Sequence, residues 1–239
     1  MSSERIVGAN GLRDVLRELV MSGCSVGVIG SVAPMAYRRF IRGMHDIPST
    51  QEELIGFVGE ESVAQTWVDK PENDVQNIST SLIRLDHDRR IEAVDTTQWS
   101  GRLYSSTVCT DSEQFLESIE SKLETFSDQN KIAPIMSIYP LGYLAGELGW
   151  DRVGEFVIDT SHHLRGMCGV GFYTVDRGVR NSQVESIIDL FDALVVLRSE
   201  RQNEEVQIKQ KWHINGYQLR NSEDVKSRWI PIGSTTSNQ

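Results

Sequence analysis

Short apolar runs alternate with amphipathic stretches along most of this chain. Residues 11–21, GLRDVLRELVM, set Leu12, Val15, Leu16 and Leu19 on one face at helical spacing, and Gly23 follows as a stop. The run CSVGVIGS after it is short, β-branched and bounded by glycine, which predicts a buried strand. Residues 32–44, VAPMAYRRFIRGM, predict a helix opened by Pro34, because proline costs little in a first helical turn. EELIGFVG is a second strand. The polar stretch 70–81, with Pro71, Asn73 and Asn77, reads as a loop, and RRIEAVDTT as a further strand.

The second half repeats the pattern. Residues 110–126 form the clearest helix: Thr110 and Glu113 make a capping-box pair ahead of a stripe of Phe115, Leu116, Ile119, Leu123 and Phe126. KIAPIMSIYP is a strand, 141–148 a short helix, 152–167 a longer one, GVGFYTV a strand, 183–191 a helix and ALVVLR an apolar strand. EEVQIKQKW then alternates strictly, with Val206, Ile208 and Gln210 on one side. Asn215-Gly216 is a turn signal, so a hairpin with YQLR is expected at the sheet edge, with SRWIPI returning. Strands alternating with helices imply an α/β fold: a three-layer, mostly parallel sheet with helices on both faces and a C-terminal antiparallel hairpin. One domain over residues 1–232 and a disordered polar tail over 233–239 are expected.

Charge narrows the partners. Net charge is −10, and of the 24 basic residues 18 are Arg and 6 are Lys. Such a surface suits a halophilic source or an ordinary acidic cytosolic protein, and its overall field repels nucleic acid unless a local basic patch intervenes. No run of about 18 apolar residues and no signal pattern at MSSERIVGAN exist, so no membrane association and a cytoplasmic location are expected. Cys24, Cys109 and Cys168 share no metal-like spacing, and Cys24 and Cys168, in or beside apolar runs, read as buried hydrophobes in a reducing compartment.

The block 132–198 carries a resemblance. Its strand, helix, strand, helix, strand order, closing on SIIDLFDALVVLR, resembles the RecA/KaiC-like P-loop ATPase superfamily, and in particular small archaeal members with decayed nucleotide sites. The resemblance implies a RecA-like sheet. An active member carries G-x-x-x-x-G-K-[ST] after its first core strand, where backbone N–H groups and a lysine hold phosphates and a hydroxyl holds Mg²⁺. Here that place reads GVIGSVAPMAYRRF. The second glycine, the lysine and the Ser/Thr are missing, and Pro34 removes a donor. Where a metal-binding Asp is expected, IMSIYP offers Ser137.

Candidate chemistry is accordingly sparse. A helix N-terminus after Gly30 and Ser31 could receive an anion, with Arg38 and Arg39 two turns on, although both arginines also read as a solvated helix face. Asp176 and Arg177 follow a strand at its C-terminal end, where open α/β sheets bind ligands; they also read as a helix-capping turn. Asp86-His87-Asp88 and His162-His163 fit no common metal spacing and read as surface features. Trp212, Tyr217 and Trp229 lie among Lys209, Lys211, Arg220, Lys226 and Arg228, which suits a packed edge, a protein interface or a nucleic-acid surface.

The expected function is a non-catalytic regulatory or protein-interaction module, with a protein partner or self-association and no cofactor or metal. A divergent nucleotide-binding ATPase would need a concave pocket at the C-terminal strand ends, whereas the interaction reading needs that region filled by Met35, Tyr37 or Tyr139. A nucleic-acid regulator would need a contiguous basic face.

Overall fold

The computed structural model describes residues 4–30, 32–44, 52–68, 78–86, 93–99, 102–131, 133–175, 187–202, 205–216, 219 and 223–232. In chain order the elements are β1 (Glu4–Val7), α1 (Ala9–Met21), β2 (Cys24–Gly30), α2 (Pro34–Arg42), β3 (Glu52–Val58), α3 (Glu61–Val68), β4 (Ser79–Leu85), β5 (Ala93–Trp99) and β6 (Arg102–Cys109). Then come α4 (Ser112–Asp128), β7 (Ile135–Tyr139), α5 (Leu141–Leu148), α6 (Trp150–Gly166), β8 (Val170–Val175), β9 (Ala193–Gln202), β10 (Glu205–Ile214), β11 (Asp224–Ser227) and β12 (Ile230–Pro231).

The strands form one sheet in the order β1-β11-β10-β9-β2-β8-β7-β3-β4-β6-β5, with β12 on β10. From β9 through β2, β8, β7, β3 and β4 to β6 every pairing is parallel. Parallel strands need helical crossovers, so both faces are covered, and β2, β3, β7 and β8 at the centre are largely apolar. On one face, α1, α2 and α3 bury Leu12, Leu16, Tyr37, Phe40 and Trp67 against Val26, Val28, Ile55 and Phe172. On the other, α4, α5 and α6 bury Phe115, Ile119, Leu144 and Phe156 against Leu54, Met136, Ile138 and Tyr173. The three-layer, mostly parallel α/β architecture and the C-terminal antiparallel pair are those the sequence predicts.

Three local expectations change. The hairpin joins β9 to β10, paired antiparallel from Gln202↔Glu205 to Ala193↔Ile214, so its turn precedes β10. Asn215-Gly216 instead leads toward β11, where Gly216 N–H donates to the Asp224 carboxylate at 2.8 Å. Secondly, β1, β4, β6 and β11 are strands and α3 a helix that the pattern left out, and β4 begins at Ser79, inside the stretch 70–81 read as a loop. β4 and β6 are rich in Ser and Thr, which tertiary pairing satisfies: Ser105 donates to Ser81 across the two strands at 3.0 Å. Finally, the cap of α4 is Asp111, whose carboxylate accepts from Gln114 N–H at 2.8 Å, while Gln114 Oε1 accepts from Thr110 N–H at 3.1 Å. The reciprocal pair predicted for Thr110 and Glu113 is thus shifted by one residue. The predicted helix over 183–191 is described only from Ile187 onward, and the tail 233–239 lies outside the described residues. Among the described residues no helix is long and apolar enough to cross a membrane.

Candidate functional site

In a sheet wound this way, ligands bind where neighbouring strands send their connections to opposite faces. β2 continues into α2 on one face, and β8 lies beside it. The crevice between their C-terminal ends is therefore the first place to look, and Gly30 closes β2 there. Its lack of a side chain serves packing: a Cβ would lie 2.4 Å from the carbonyl oxygen of Leu197 on β9. That carbonyl leaves no space for a side chain, whatever else binds nearby. Ser31, Asp176 and Arg177 lie outside the described residues.

The start of α2 offers few donors. Its N-cap, Ala33, makes no side-chain cap, Pro34 has no N–H, and Ala36 N–H is already given to the Ala33 carbonyl at 2.8 Å. Tyr37 then turns inward. It is 1% exposed, and its hydroxyl donates to the Gly30 carbonyl at 2.5 Å. The Tyr37 ring centre lies 5.6 Å from that of Tyr139, at the end of β7. Tyr139 stacks on Phe57 of β3 at 5.5 Å and meets Trp67 of α3 at 5.1 Å. Four aromatic rings thus occupy the ends of β3 and β7 beneath α2 and α3. Met35, the other residue expected to fill this space, is 44% exposed and stays outside it.

The two candidate arginines part company. Arg39 is exposed. Arg38, expected on a solvated face or at an anion, is 1% exposed and points into the layer between α2 and the sheet. There its guanidinium makes a two-pronged pair with Glu53 of β3, itself fully buried: Nη1 donates to Oε1, and Nη2 to Oε2 at 3.0 Å. Thr80 adds a hydroxyl to Oε2 at 3.4 Å. A buried carboxylate needs such a partner, because an unpaired charge in this layer costs several kcal/mol. The place of Arg38 is explained by Glu53, and Gly30, Arg38 and Arg39 do not converge on a ligand. The signal for this pair was present in the sequence: two glutamates at the head of the apolar run EELIGFV demand partners once the strand is buried. Glu52 finds its own in Lys131, at 2.6 Å.

Ser137 sits in mid-strand between Ile55 and Phe172, fully buried, its hydroxyl without a hydrogen bond. Among the described residues no three His, Cys, Asp or Glu side chains are grouped to hold a metal ion. Asp86 pairs with Arg84 at 2.8 Å, and His87 and Asp88 lie outside the described residues.

A second buried carboxylate anchors the opposite ends of the strands. Asp192, 0% exposed, accepts from Ser25 N–H at 2.8 Å, from the Ser25 hydroxyl at 3.1 Å and from Arg165 of α6 at 2.7 and 2.9 Å. Its neighbour Phe191 covers Gly27, where a Cβ would come within 2.5 Å of the ring. The Phe-Asp pair of SIIDLFDALVV is thus a joint between β2, β9 and α6. Around it titration is suppressed. Burial, and then the nearby Asp192 charge, push the Cys24 thiol far up, and burial raises Tyr173 to about 12 despite its hydrogen bonds with Ser161 and Thr160. Neither is an available nucleophile near neutral pH. Cys168, expected buried, is exposed.

The basic, aromatic C-terminal region divides across the sheet. Trp212 is buried against Phe40 at 5.7 Å on the α2 face. Lys209 and Lys211 alternate with it and face the other way. On that side Ile6, Lys211, Lys226, Ser227, Arg228 and Trp229 line a groove of about 450 Å³. Arg198 lies over the Trp229 ring, 3.9 Å from its centre. Lys209 binds Glu200 at 2.7 Å and holds that carboxyl below its usual range. Tyr217 and Arg220 lie outside the described residues.

A model for a family of unknown function, DUF7504, matches residues 23–197. The chain belongs to DUF7504. The matched span runs from the residue before β2 into β9, so the DUF7504 portion holds the parallel core, the aromatic cluster at the ends of β3 and β7, and the buried Glu53 and Asp192. The groove residues lie outside it. No curated protein matches the chain.

Proposed function

We propose that this DUF7504 chain is a RecA/KaiC-like domain without a working nucleotide site, acting as a non-catalytic regulatory or protein-interaction module. The observation that carries the reading is that Tyr37 turns inward at the end of β2, bonded to Gly30 and packed on Tyr139. A phosphate cradle needs several free backbone N–H groups and a lysine at this turn. Here the described donors are few, no lysine lies between Gly30 and Arg42, and Arg38 is committed to Glu53. Ser137, in place of a metal-binding acid, supports the same reading. A fold alone does not carry an activity, so the argument rests on these residues.

Isothermal calorimetry with ATP, ADP and GTP, with and without Mg²⁺ and at low and high salt, tests it. The expected result is no heat of binding under any condition. Micromolar binding would refute the reading and direct attention to residues 27–31, Asp176 and Arg177.

A further inference from the structure

We propose that the groove at the antiparallel end of the sheet binds an extended acidic segment of a partner protein, which adds as a strand beside β1. This rests on the interaction-module reading and names its partner class.

Three observations converge. The first is charge. In a chain of net charge −10, the groove gathers Lys211, Lys226 and Arg228, with Arg198 stacked on its Trp229 wall. Glu200 offsets Lys209 and Arg198, but Lys211 and Arg228 are exposed and have no carboxylate partner among the described residues. The second is apolar surface: Ile6 is 65% exposed on the groove, and Val196, opposite Lys211 on β9, is 40% exposed. The third is backbone. β1 is paired on one side with β11, and its other edge has no partner strand among the described residues. An open edge beside such a groove suits strand addition, in which main-chain hydrogen bonds give affinity and alternate side chains give specificity.

The same cations could hold nucleic acid, but the geometry favours peptide. Single strands need successive free aromatic faces. Here Trp229 has one face under Arg198, and Trp212 is buried on the opposite side of the sheet. A longer polyanion would also run from the groove onto the acidic remainder of the surface. A peptide whose every second residue alternates between carboxylate and aliphatic matches Lys211, Arg228 and Ile6.

The test uses the full chain and a fluorescein-labelled peptide of Glu-Thr-Leu-Thr repeats, read by polarisation at low salt. Binding is expected, weakened by about tenfold or more in Lys211→Glu and Arg228→Glu and in the Gln-Thr-Leu-Thr counterpart. Backbone N-methylation of the peptide should abolish it, and Lys122→Glu, the same charge change on α4, should leave it within about twofold. Unchanged denaturation midpoints would show that the groove variants fold. Absence of peptide binding, retention of binding by both groove variants, or tighter binding of an oligothymidylate would overturn the proposal. Nucleotide calorimetry is independent of all these readings, so failure here and failure of the module reading are told apart.

Discussion

Two ends of one sheet show opposite treatments of a surface that could hold a ligand. At the C-terminal ends of β3 and β7, side chains from α2 and α3 close the space: Tyr37, Tyr139, Phe57 and Trp67 interlock, and the cation nearest in sequence is neutralised by Glu53. At the antiparallel end, the helices α4, α5 and α6 lie over β2, β3, β4, β6 and β8, while Ile6, Lys211 and Arg228 border an open groove. Position in a fold therefore does not make a site. What matters is whether donors and charges are left over after the core has used them, and here the core uses them at the conventional place and leaves them at the edge.

The contrast can be broken by substitution. Glu53→Leu leaves Arg38 charged and buried without its carboxylate, and should cost about 3–5 kcal/mol in chemical denaturation. The double variant Arg38→Met, Glu53→Leu should recover most of that loss; a double variant as unstable as the single one would contradict the pairing. Tyr37→Ala opens the aromatic cluster and should cost about 3 kcal/mol. Nucleotide binding should still be absent in it, because no lysine lies between Gly30 and Arg42 and Pro34 lacks an N–H. Tyr37→Phe keeps the ring and removes the bond to Gly30, for about 1 kcal/mol.

The buried hydroxyl of Tyr173 gives a pH test of the interior. Its folded value, about 12, lies above the ordinary 10. The folded state therefore holds the proton more tightly, and stability present below about pH 10 is lost as pH rises toward about 12, by roughly 2 kcal/mol. Cys24, shifted the same way, adds to the alkaline loss. Tyr173→Phe should flatten part of that decline; an unaltered profile would mean another group is responsible. The smallest effects belong to the groove, where Lys211→Ala and Arg228→Ala should change stability by no more than about 0.5 kcal/mol. A large loss there would make the groove part of the scaffold.

The parallel core was legible because strands buried on both faces read as continuous apolar runs, and α1, α4 and α5 kept clean helical stripes. β4 and β6 were not, because STSLIRL and RLYSSTVC hide polar groups in cross-strand bonds that only the folded sheet supplies. The hairpin was placed one turn late, because Asn215-Gly216 carries a strong local signal while residues 203–204 carry none. Of the candidate site, the lack of a lysine between Gly30 and Arg42 and the serine in IMSIYP were readable directly. That the buried Glu53 needs a partner was readable, but that Arg38 turns inward to supply it was not, since the two lie fifteen residues apart across a crossover. The groove joins residue 6 to residues 211–229, and no local pattern reveals that meeting.

The central claim is that the crevice is closed to nucleotide, and thermal unfolding in the presence of Mg-ATP tests it most directly. A ligand at about 100 times its Kd stabilises a fold by about 2.7 kcal/mol, which raises Tm by several degrees in a domain of this size. The account predicts an unchanged Tm at millimolar Mg-ATP, for the native chain and for Tyr37→Phe alike. A saturable rise with Mg-ATP concentration would contradict it.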